Sequence, residues 1–346
     1  MSDRPRVSVL LPVGRARPST RVALDSLLAQ SLRDIEVLAI GHEDVARTLP
    51  ALAGPGAMDP RVRAVARAVP GLVGALNTGL AAARAPLVAR MDDDDVAYPE
   101  RLEAQLRHLE AHPEARLVGA RVRIVDARGD PDGVAAGNRR YEAWLNALVT
   151  SERIIECRLV ENPLPHPTWL AERALLESLG GWRDGDFPED HDLVLRAIAA
   201  GARPSKPEPV LLDWTDHADR LTRTDPRYSP EAFVRLKAET VARADAGLGL
   251  DAGRPVRLAG TGRAARRWCD ALVARGVQVL GFVDLPREGM RLRLRHRPVL
   301  GNETWLGERA GELLITTVRR PEARAALEAW CRGAGLVIDR DFVLGE

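Results

Sequence analysis

The stretch "PLVARMDDDDVAYPERLEAQ", from Pro86 to Gln105, decides the fold of this sequence. It begins with an apolar run typical of a buried parallel strand, continues with four consecutive aspartates, and leads into a helical pattern that starts at Pro99. Adjacent carboxylates repel each other, so a cluster of them at a strand end requires counter-charge. Because ligands bind at the carboxyl ends of strands in open parallel sheets, we expect this cluster at a ligand-binding edge.

The segments around this stretch alternate between strand and helix patterns. The runs "VSVLLPV", "DIEVLAI" and "PRVRAVA" predict strands, and "PSTRVALDSLLAQS" and "LVGALNTGLAAARA" predict helices between them. Further along, "EPVLLDW" predicts another strand and "DFPEDHDLVLRAIAAG" contains a helix. This order predicts an α/β fold with a mostly parallel sheet that is covered by helices on both faces.

A second domain is predicted after a shift in composition at "GLGLDAGRPVR". We place the first domain at residues 1–250 and the second at residues 254–346. The second begins with a strand, a glycine turn and a helix in "VRLAGTGRAARRWCDALVARG", and "VQVLGFVD" and "ELLITTV" supply further strands. This pattern predicts a small α/β domain with a parallel sheet.

Composition excludes several classes of protein. The 346 residues carry 50 basic and 49 acidic side chains, and this balance gives no sign of a nucleic-acid or anionic-membrane surface. No apolar run approaches the roughly 20 residues that span a bilayer, and the N-terminus lacks the pattern of a signal peptide. The three cysteines lie far apart without metal-ligand spacing. We expect a cytoplasmic protein, and peripheral contact with the inner face of the membrane stays open.

The aspartates suggest a metal site. In an extended stretch residues i and i+2 point the same way, so Asp92 and Asp94 can act together while Asp93 points elsewhere. Carboxylates are hard oxygen ligands suited to Mg²⁺ or Mn²⁺, and such an ion commonly bridges to substrate phosphates. The alternative is a solvated acidic turn that caps the helix from Pro99.

A second acidic group lies in "FPEDHDLVLRA", where Glu189, Asp190 and Asp192 begin a helix. In one interpretation these carboxylates do no chemistry: they cap the helix, and their negative charge interacts favourably with the positive end of its dipole. Alternatively, one of them is a general base that takes a proton from a hydroxyl nucleophile. A helix N-terminus lowers the pKa of a carboxylate and weakens it as a base, unless burial or a nearby acidic group raises that pKa again.

From Arg6 to Arg223 the chain resembles the family 2 glycosyltransferases of the GT-A fold. These inverting enzymes transfer a sugar from a nucleotide-diphosphate donor. The resemblance is carried by an ordered set of segments: "VSVLLPV", "ALDSLLAQSLRDIEVLAI", "ALNTGLAAARAPLVARMDDDD", "RLEAQLRHLEAHPEARLVGA", "NPLPHPTWL", "LGGWRDGDFPEDHDLVLRAIAAG" and "PVLLDWTDHADRLTR". The DxD motif, here Asp92 and Asp94, is weak evidence for the family when it stands alone, but the ordered set of matching segments is specific.

The resemblance implies roles for the acidic residues. Asp92 would contact the nucleoside and its ribose, and would share the metal site. Asp94 would bind the metal at the diphosphate, with Asp95 beside it. Asp190 would be the catalytic base, and Glu189 would help to hold the acceptor or donor.

The resemblance also implies binding roles outside the acidic motifs, and plainer readings stay open for several of them. The implied residues are Pro12 and Asn77 at the donor, His217 at the metal or phosphate, and His166 and Trp182 in the acceptor region. Asn77 can equally cap or cross-link a turn. His217 can be a solvated turn residue and His166 a structural one.

Two departures from the family pattern concern the donor pocket. The first strand ends in "PVGR", with Arg15 where the family usually has asparagine. The second ends in "AIGHED", with Gly41 and His42 where the family usually has two aspartates, the first of which reads the base. We therefore expect a pocket that discriminates poorly among nucleobases, or one that prefers a base other than uracil.

The second domain resembles the Rossmann-like N-terminal domain of bacterial sugar O- and N-acyltransferases, through "GFVD", "RPVLGNETWL" and "DFV". Its "LAGTGRAAR" turn, with Gly260 and Gly262, can bind a nucleotide phosphate at the helix N-terminus, and Asp284 ends the next strand. Alternatively, the glycines serve only the turn.

These observations predict an inverting, metal-dependent glycosyltransferase with Mn²⁺ or Mg²⁺ as cofactor. It would transfer one sugar from a nucleotide-sugar to a hydroxyl of a glycan, lipid-linked or other acceptor in bacterial surface polysaccharide or glycoconjugate synthesis. One alternative is a catalytically decayed glycosyltransferase that binds nucleotide-sugar as a scaffold. Another is a nicotinamide-dependent oxidoreductase that uses the second domain, for which we find no catalytic partner.

Overall fold

The computed structural model describes residues 4–15, 17–42, 44–45, 48–49, 59–285 and 292–346. The chain divides into two compact units, which are each assembled from several segments. The first unit comprises Met1–Ile155, Pro163–Asp184 and Glu189–Thr224, and the second comprises Glu156–Asn162, Gly185–Pro188 and Asp225–Glu346.

A six-stranded sheet forms the centre of the first unit. Its strands are β1 (Val7–Pro12), β2 (Ile35–Gly41), β3 (Val62–Ala66), β4 (Leu87–Arg90), β6 (Leu117–Val118) and β8 (Leu170–Glu172). Their order is β3-β2-β1-β4-β8-β6; the first four are parallel, and β8 is antiparallel to both β4 and β6. The predicted α/β class with a mostly parallel sheet is confirmed. The parallel strands therefore bring their carboxyl ends to one edge.

Helices cover both faces of this sheet: α1 (Pro18–Leu28), α2 (Gly71–Ala82) and α3 (Arg101–Ala111). Alternate residues of each strand point to opposite faces, so Val9 joins the core that includes α1, while Leu10 faces α2. Gly79 permits the close approach of α2, because a Cβ there would lie 2.7 Å from Ile40 Cδ1 and 2.9 Å from Leu10 Cδ2. The apolar runs of the sequence thus become strands that are buried on both faces.

A second, three-stranded sheet completes the first unit. It consists of β5 (Val96–Ala97), β9 (Val210–Asp216) and β7 (Arg121–Asp126), in the order β5-β9-β7. The segment "ARLVGARVRIVDARGD" contains two strands, β6 and β7, which belong to different sheets. Five helices follow β7 and are α4 (Ala136–Ala147), α5 (Ser151–Glu156), α6 (Arg173–Ser178), α7 (Glu189–Ala199) and α8 (Leu221–Thr224).

The second unit is built on its own six-stranded sheet. The strands are β10 (Val256–Ala259), β11 (Val279–Asp284), β12 (Arg293–Leu294), β13 (Arg297–Gly301), β14 (Leu313–Thr316) and β15 (Phe342–Leu344), in the order β12-β13-β11-β10-β14-β15. All neighbours are parallel except β12 and β13. Its helices are α9 (Pro230–Ala242), α10 (Arg263–Val273), α11 (Asn302–Glu308) and α12 (Pro321–Gly333).

The strand, glycine turn and helix predicted at the start of the second domain are β10, its turn and α10. Helix α9 belongs to the second unit, in which it packs against α10. Arg267 Nε of α10 lies 2.6 Å from Glu231 Oε1 of α9. The boundary between residues 250 and 254 and the Rossmann-like resemblance stay predictions.

None of the helices that the structure describes is both long and apolar enough to span a bilayer.

Candidate functional site

Three of the four consecutive aspartates gather just beyond the end of β4. One carboxylate oxygen from each of Asp92, Asp94 and Asp95 lies within 4.8 Å of the others. Asp93 points away, and its Oδ2 accepts a hydrogen bond from Thr20 Oγ1 at 3.2 Å. The structure brings Asp92 and Asp94 together as the sequence predicts. The chain turns at Asp93 and Asp94 instead of staying extended, and Asp95 therefore joins the cluster.

Strand β9 holds the cluster from the other side. The Thr215 N–H donates to Asp95 Oδ1 at 2.9 Å, and Thr215 Oγ1 donates to the Asp94 carbonyl at 2.6 Å. His217 Nε2 lies 2.7 Å from Asp94 Oδ2, which places this predicted histidine at the cluster. Sequence reasoning missed Thr215, although strand alternation puts it on the same face as His217.

Burial makes the charge of these carboxylates costly. Together with the charges of Asp94 and Asp92, it raises the pKa of Asp93 to about 7. Burial and the Asp92 charge also raise the pKa of Asp94, which His217 opposes, and they raise the pKa of Asp95 well above its usual range. Asp95 is 1% exposed, and its Oδ2 has no hydrogen-bond partner among the described residues. An oxygen-rich, poorly compensated site of this kind fits a hard divalent cation.

Two buried arginines lie beneath the cluster. Arg90, the last residue of β4, donates to Asp92 Oδ2 at 2.6 Å and lies 2.5 Å from Asp92 Oδ1 through its second terminal nitrogen. Arg101 of α3 donates to the Arg90 carbonyl at 2.7 Å. Burial lowers the pKa of Arg101 to about 9, against the charge of Asp95. Sequence reasoning missed both arginines, although a charged residue that ends an apolar strand was a usable signal.

The second acidic group begins α7, and its three members have different surroundings. Asp192 is buried between two arginines, with Arg196 Nε at 2.8 Å and Arg183 Nε at 3.1 Å. Glu189 is fully buried. Asp190 is partly exposed and accepts the His191 N–H at 2.7 Å. Of the three carboxylates, Asp190 is the one that solvent can reach.

A buried aromatic group supports the start of α7. His166 Nδ1 lies 3.9 Å from Glu189 Oε1, and the Trp182 indole N–H donates to His166 Nε2 at 3.1 Å. Burial, with the charge of Arg90, holds the pKa of His166 well below its usual range. In the neutral imidazole Nε2 accepts, so the proton lies on Nδ1, towards Glu189. Both rings are buried, which favours a supporting role over direct contact with an acceptor.

Asn77 is engaged with the same aromatic group. Its side-chain amide donates to the Trp182 carbonyl at 2.8 Å, and its Oδ1 accepts the Trp182 N–H at 2.9 Å. These bonds join residues 105 positions apart and favour the cross-linking role over contact with the donor.

Comparison with known proteins identifies the domain that carries the aspartate cluster. Residues 8–176 match the family model for glycosyl transferase family 2. The chain carries a family 2 glycosyltransferase domain.

Curated relatives of this glycosyltransferase domain include two named enzymes. The amylovoran biosynthesis glycosyltransferase AmsE of Erwinia amylovora is 31% identical over 179 residues, which cover 51% of this chain and 63% of AmsE. The O-antigen biosynthesis glycosyltransferase WbnJ of Escherichia coli is 26% identical over 193 residues, which cover 56% of this chain and 71% of WbnJ. Among solved structures, S. aureus TarS 1-349 in complex with UDP-GlcNAc has a TM-score of 0.49 at 19% identity, over 69% of this chain and 67% of TarS 1-349.

At Gly41, one of the positions where the sequence departs from the family pattern, the structure shows a steric reason for the glycine. Gly41 ends β2 next to Val13, and a Cβ there would lie 2.9 Å from both the Val13 carbonyl oxygen and Val45 Cγ2. A carboxylate side chain at position 41 therefore requires the backbone to shift. His42 is exposed, and its Nδ1 lies 3.6 Å from an oxygen of Asp44.

The glycine turn of the second unit joins β10 to α10. Gly260 has φ +109°, which favours glycine, and a Cβ there would lie 3.1 Å from Thr317 Oγ1. Gly262 has an ordinary backbone, with nothing within 4 Å of a Cβ. Thr261 Oγ1 donates to Asp284 Oδ2. The turn itself requires Gly260, and a nucleotide-binding role for Gly260 and Gly262 stays a prediction.

The crowding at Gly41 predicts a loss of stability for Gly41→Ala. We expect the free energy of unfolding to fall by about 1–3 kcal/mol, because the new methyl group meets a backbone oxygen that has little freedom to move. Chemical denaturation measures this change.

The matched control is Gly14→Ala, where a Cβ has nothing within 4 Å, and we expect little change in stability. Equal stability of Gly41→Ala and the wild type would show that the end of β2 has room for a side chain.

Proposed function

We propose that the glycosyltransferase domain transfers a sugar from a nucleotide-diphosphate sugar to an acceptor hydroxyl, with inversion and with the help of a divalent cation. The observation that carries this proposal is the cluster of Asp92, Asp94 and Asp95 at the carboxyl edge of the sheet. The relatives' names refer to amylovoran and O-antigen biosynthesis, which supports an acceptor in bacterial surface polysaccharide synthesis.

The residues that would hold the cation are Asp94 and Asp95, with Asp92 and His217 beside them. The unpartnered Oδ2 of the buried Asp95 and the close carboxylate oxygens make this donor set suited to Mn²⁺ or Mg²⁺. When bound, the cation offsets the negative charge on the departing nucleoside diphosphate.

Asp190 is the proposed base. It takes the proton of the acceptor hydroxyl while the acceptor oxygen bonds to the anomeric carbon. The bond from that carbon to the diphosphate breaks, and its electron pair leaves with the nucleoside diphosphate. A single displacement of this kind inverts the anomeric configuration. Asp192 is excluded from this role by its two arginine partners, and Glu189 by its complete burial.

A second candidate function is nucleotide-sugar binding without transfer. It is favoured by the crowded Gly41, which leaves the usual base-reading carboxylate out of the pocket. The complete acidic cluster and the partly exposed Asp190 favour transfer. The two functions differ in whether Asp190 matters for turnover.

The metal proposal predicts that Mn²⁺ strengthens the binding of UDP or GDP, and that Asp94→Ala removes this gain. The reason is the loss of one carboxylate ligand and of its contact with His217. Isothermal titration calorimetry with Mn²⁺ and with a chelator measures the gain.

Asp93→Asn is the matched control for Asp94→Ala, because Asp93 lies in the same stretch but outside the cluster, bonded to Thr20. We expect it to keep the gain from Mn²⁺. Equal affinity of the wild type for these nucleotides with metal and with chelator would contradict the metal proposal.

The base proposal predicts that Asp190→Asn reduces sugar transfer by about 10²-fold or more, the usual effect of losing a general base. Donor affinity should stay within about twofold, because the amide keeps the shape of the side chain. Initial rates of transfer and calorimetric donor affinity give the two values.

The comparison for Asp190→Asn is Asp192→Asn, which we expect to lose stability through its buried arginine pairs while it still transfers sugar below its unfolding temperature. If Asp190→Asn transfers at the wild-type rate, the base is another residue.

A further inference from the structure

Arg90 is a buried charge that the two acidic motifs share. Its side chain is 3% exposed, and both of its terminal nitrogens contact Asp92, one on each carboxylate oxygen. Its Nε is buried without a hydrogen-bond partner within the described part of the chain. A guanidinium so fully removed from water depends on nearby carboxylates for its stability. The two-point contact also fixes the orientation of Asp92.

The strand end that carries Arg90 leads directly to the second motif. The Arg90 N–H donates to the Trp169 carbonyl at 2.9 Å, and the Trp169 ring lies 4.5 Å from the His166 ring. His166 Nδ1 is in turn 3.9 Å from Glu189 Oε1. Burial lowers the pKa of Arg90, but the charges of Asp92, Asp95 and Glu189 outweigh it and raise that pKa. Arg90 thus contacts Asp92 of the cluster directly and is linked to Glu189, the residue next to the proposed base, through Trp169 and His166.

The surroundings of Arg90 suggest that its pairing with Asp92 does more than stabilise the fold. Glu189 is fully buried, so its carboxylate needs a cation nearby, and its position along the chain sets that of Asp190. Asp92 is partly exposed at the cluster and is held by the same guanidinium. A lysine could supply the charge but not the two parallel bonds, because an ammonium group is a single point charge.

We propose that Arg90 is a positioning residue for both half-sites: it orients Asp92 for the donor and holds the buried Glu189, and with it Asp190, for the acceptor. This inference rests on the proposed function, because it assigns Arg90 a part in that reaction. Arg90 does not touch the reacting atoms and acts only through its carboxylate partners.

Double-mutant cycles test this inference in the full-length protein. The variants are Arg90→Met, Asp92→Asn and Glu189→Gln, with the two pairs that contain Arg90→Met. Alone, Arg90→Met should lower kcat/KM by about 10- to 100-fold, the usual scale for misplaced catalytic groups. In the Asp92→Asn background Arg90→Met should still lower kcat but leave the donor KM nearly unchanged, and in the Glu189→Gln background it should still raise the donor KM but leave kcat nearly unchanged, because the partner for that role is already gone. The assay is hydrolysis of UDP-N-acetylglucosamine and GDP-mannose with Mn²⁺.

The kinetic constants separate the two roles. Asp92→Asn should mainly raise the donor KM, and Glu189→Gln should mainly lower kcat, whereas Arg90→Met should do both. Arg90→Lys keeps the charge near Glu189, so it should recover most of kcat, but the donor KM should stay raised. A residue that only stabilises the fold would show no such split.

The matched control is the Arg63–Glu36 pair of the same sheet, whose side chains meet at 2.7 Å towards the opposite, amino edge of the parallel strands. Arg63→Met should lower stability without changing KM, and its effect on kcat/KM should be the same with and without Glu189→Gln. Additive effects of Arg90→Met in both backgrounds would overturn the inference.

Calorimetry of UDP and GDP binding distinguishes a failure of this inference from a failure of the proposed function. A wild type that binds these nucleotides with Mn²⁺ but turns over neither nucleotide-sugar counts against the proposed function. The Asp92 cycle, measured on binding, then still decides whether Arg90 orients Asp92, and additive losses of affinity would overturn that role. A wild type that neither binds nor turns over contradicts both proposals.

Discussion

The repulsion among the crowded carboxylates at one edge of the sheet, of which Asp95 is buried, is the constraint on which the rest of the first unit depends. Asp92, Asp94 and Asp95 lie within a few ångströms of one another, and burial raises the pKa of both Asp94 and Asp95. Such a cluster is stable only where fixed hydrogen-bond donors and cations surround it. Arg90 pairs with Asp92 from below, and Thr215 and His217 meet the cluster from β9. A divalent cation would supply the remaining charge.

The fold provides these partners through its topology. Parallel strands bring Pro12, Gly41 and Arg90 to the same edge, and the small sheet positions β9 opposite the turn that follows β4. The antiparallel strand β8 pairs with β4 and brings the segment around His166 next to Arg90. The two acidic motifs, almost a hundred positions apart in the sequence, are therefore linked: Arg90 pairs with Asp92 and bonds to Trp169, whose ring packs on the His166 that lies beside Glu189.

The parts of this arrangement that follow from local pattern could be predicted from the sequence. Alternation and chain order placed the strands and joined Asp92 with Asp94, and the family resemblance indicated His217. The roles of Arg90 and Thr215 could not be predicted, because they depend on which distant segments meet. The same holds for Asn77, whose amide could serve a ligand or a turn until its bonds to Trp182 were known. At the start of α7, three adjacent carboxylates are indistinguishable by spacing, and only the arginine partners of Asp192 separate it from Asp190.

The central claim is that the first unit uses the acidic cluster to transfer a sugar from a nucleotide-sugar. A screen of nucleotide-sugars that differ in base and sugar, each incubated with the protein in Mn²⁺ or in chelator, tests it most directly. The measured quantity is the nucleoside diphosphate released. The account predicts release from at least one donor in Mn²⁺ and a loss of that release in chelator. No release from any donor, or equal release with metal and with chelator, would contradict it.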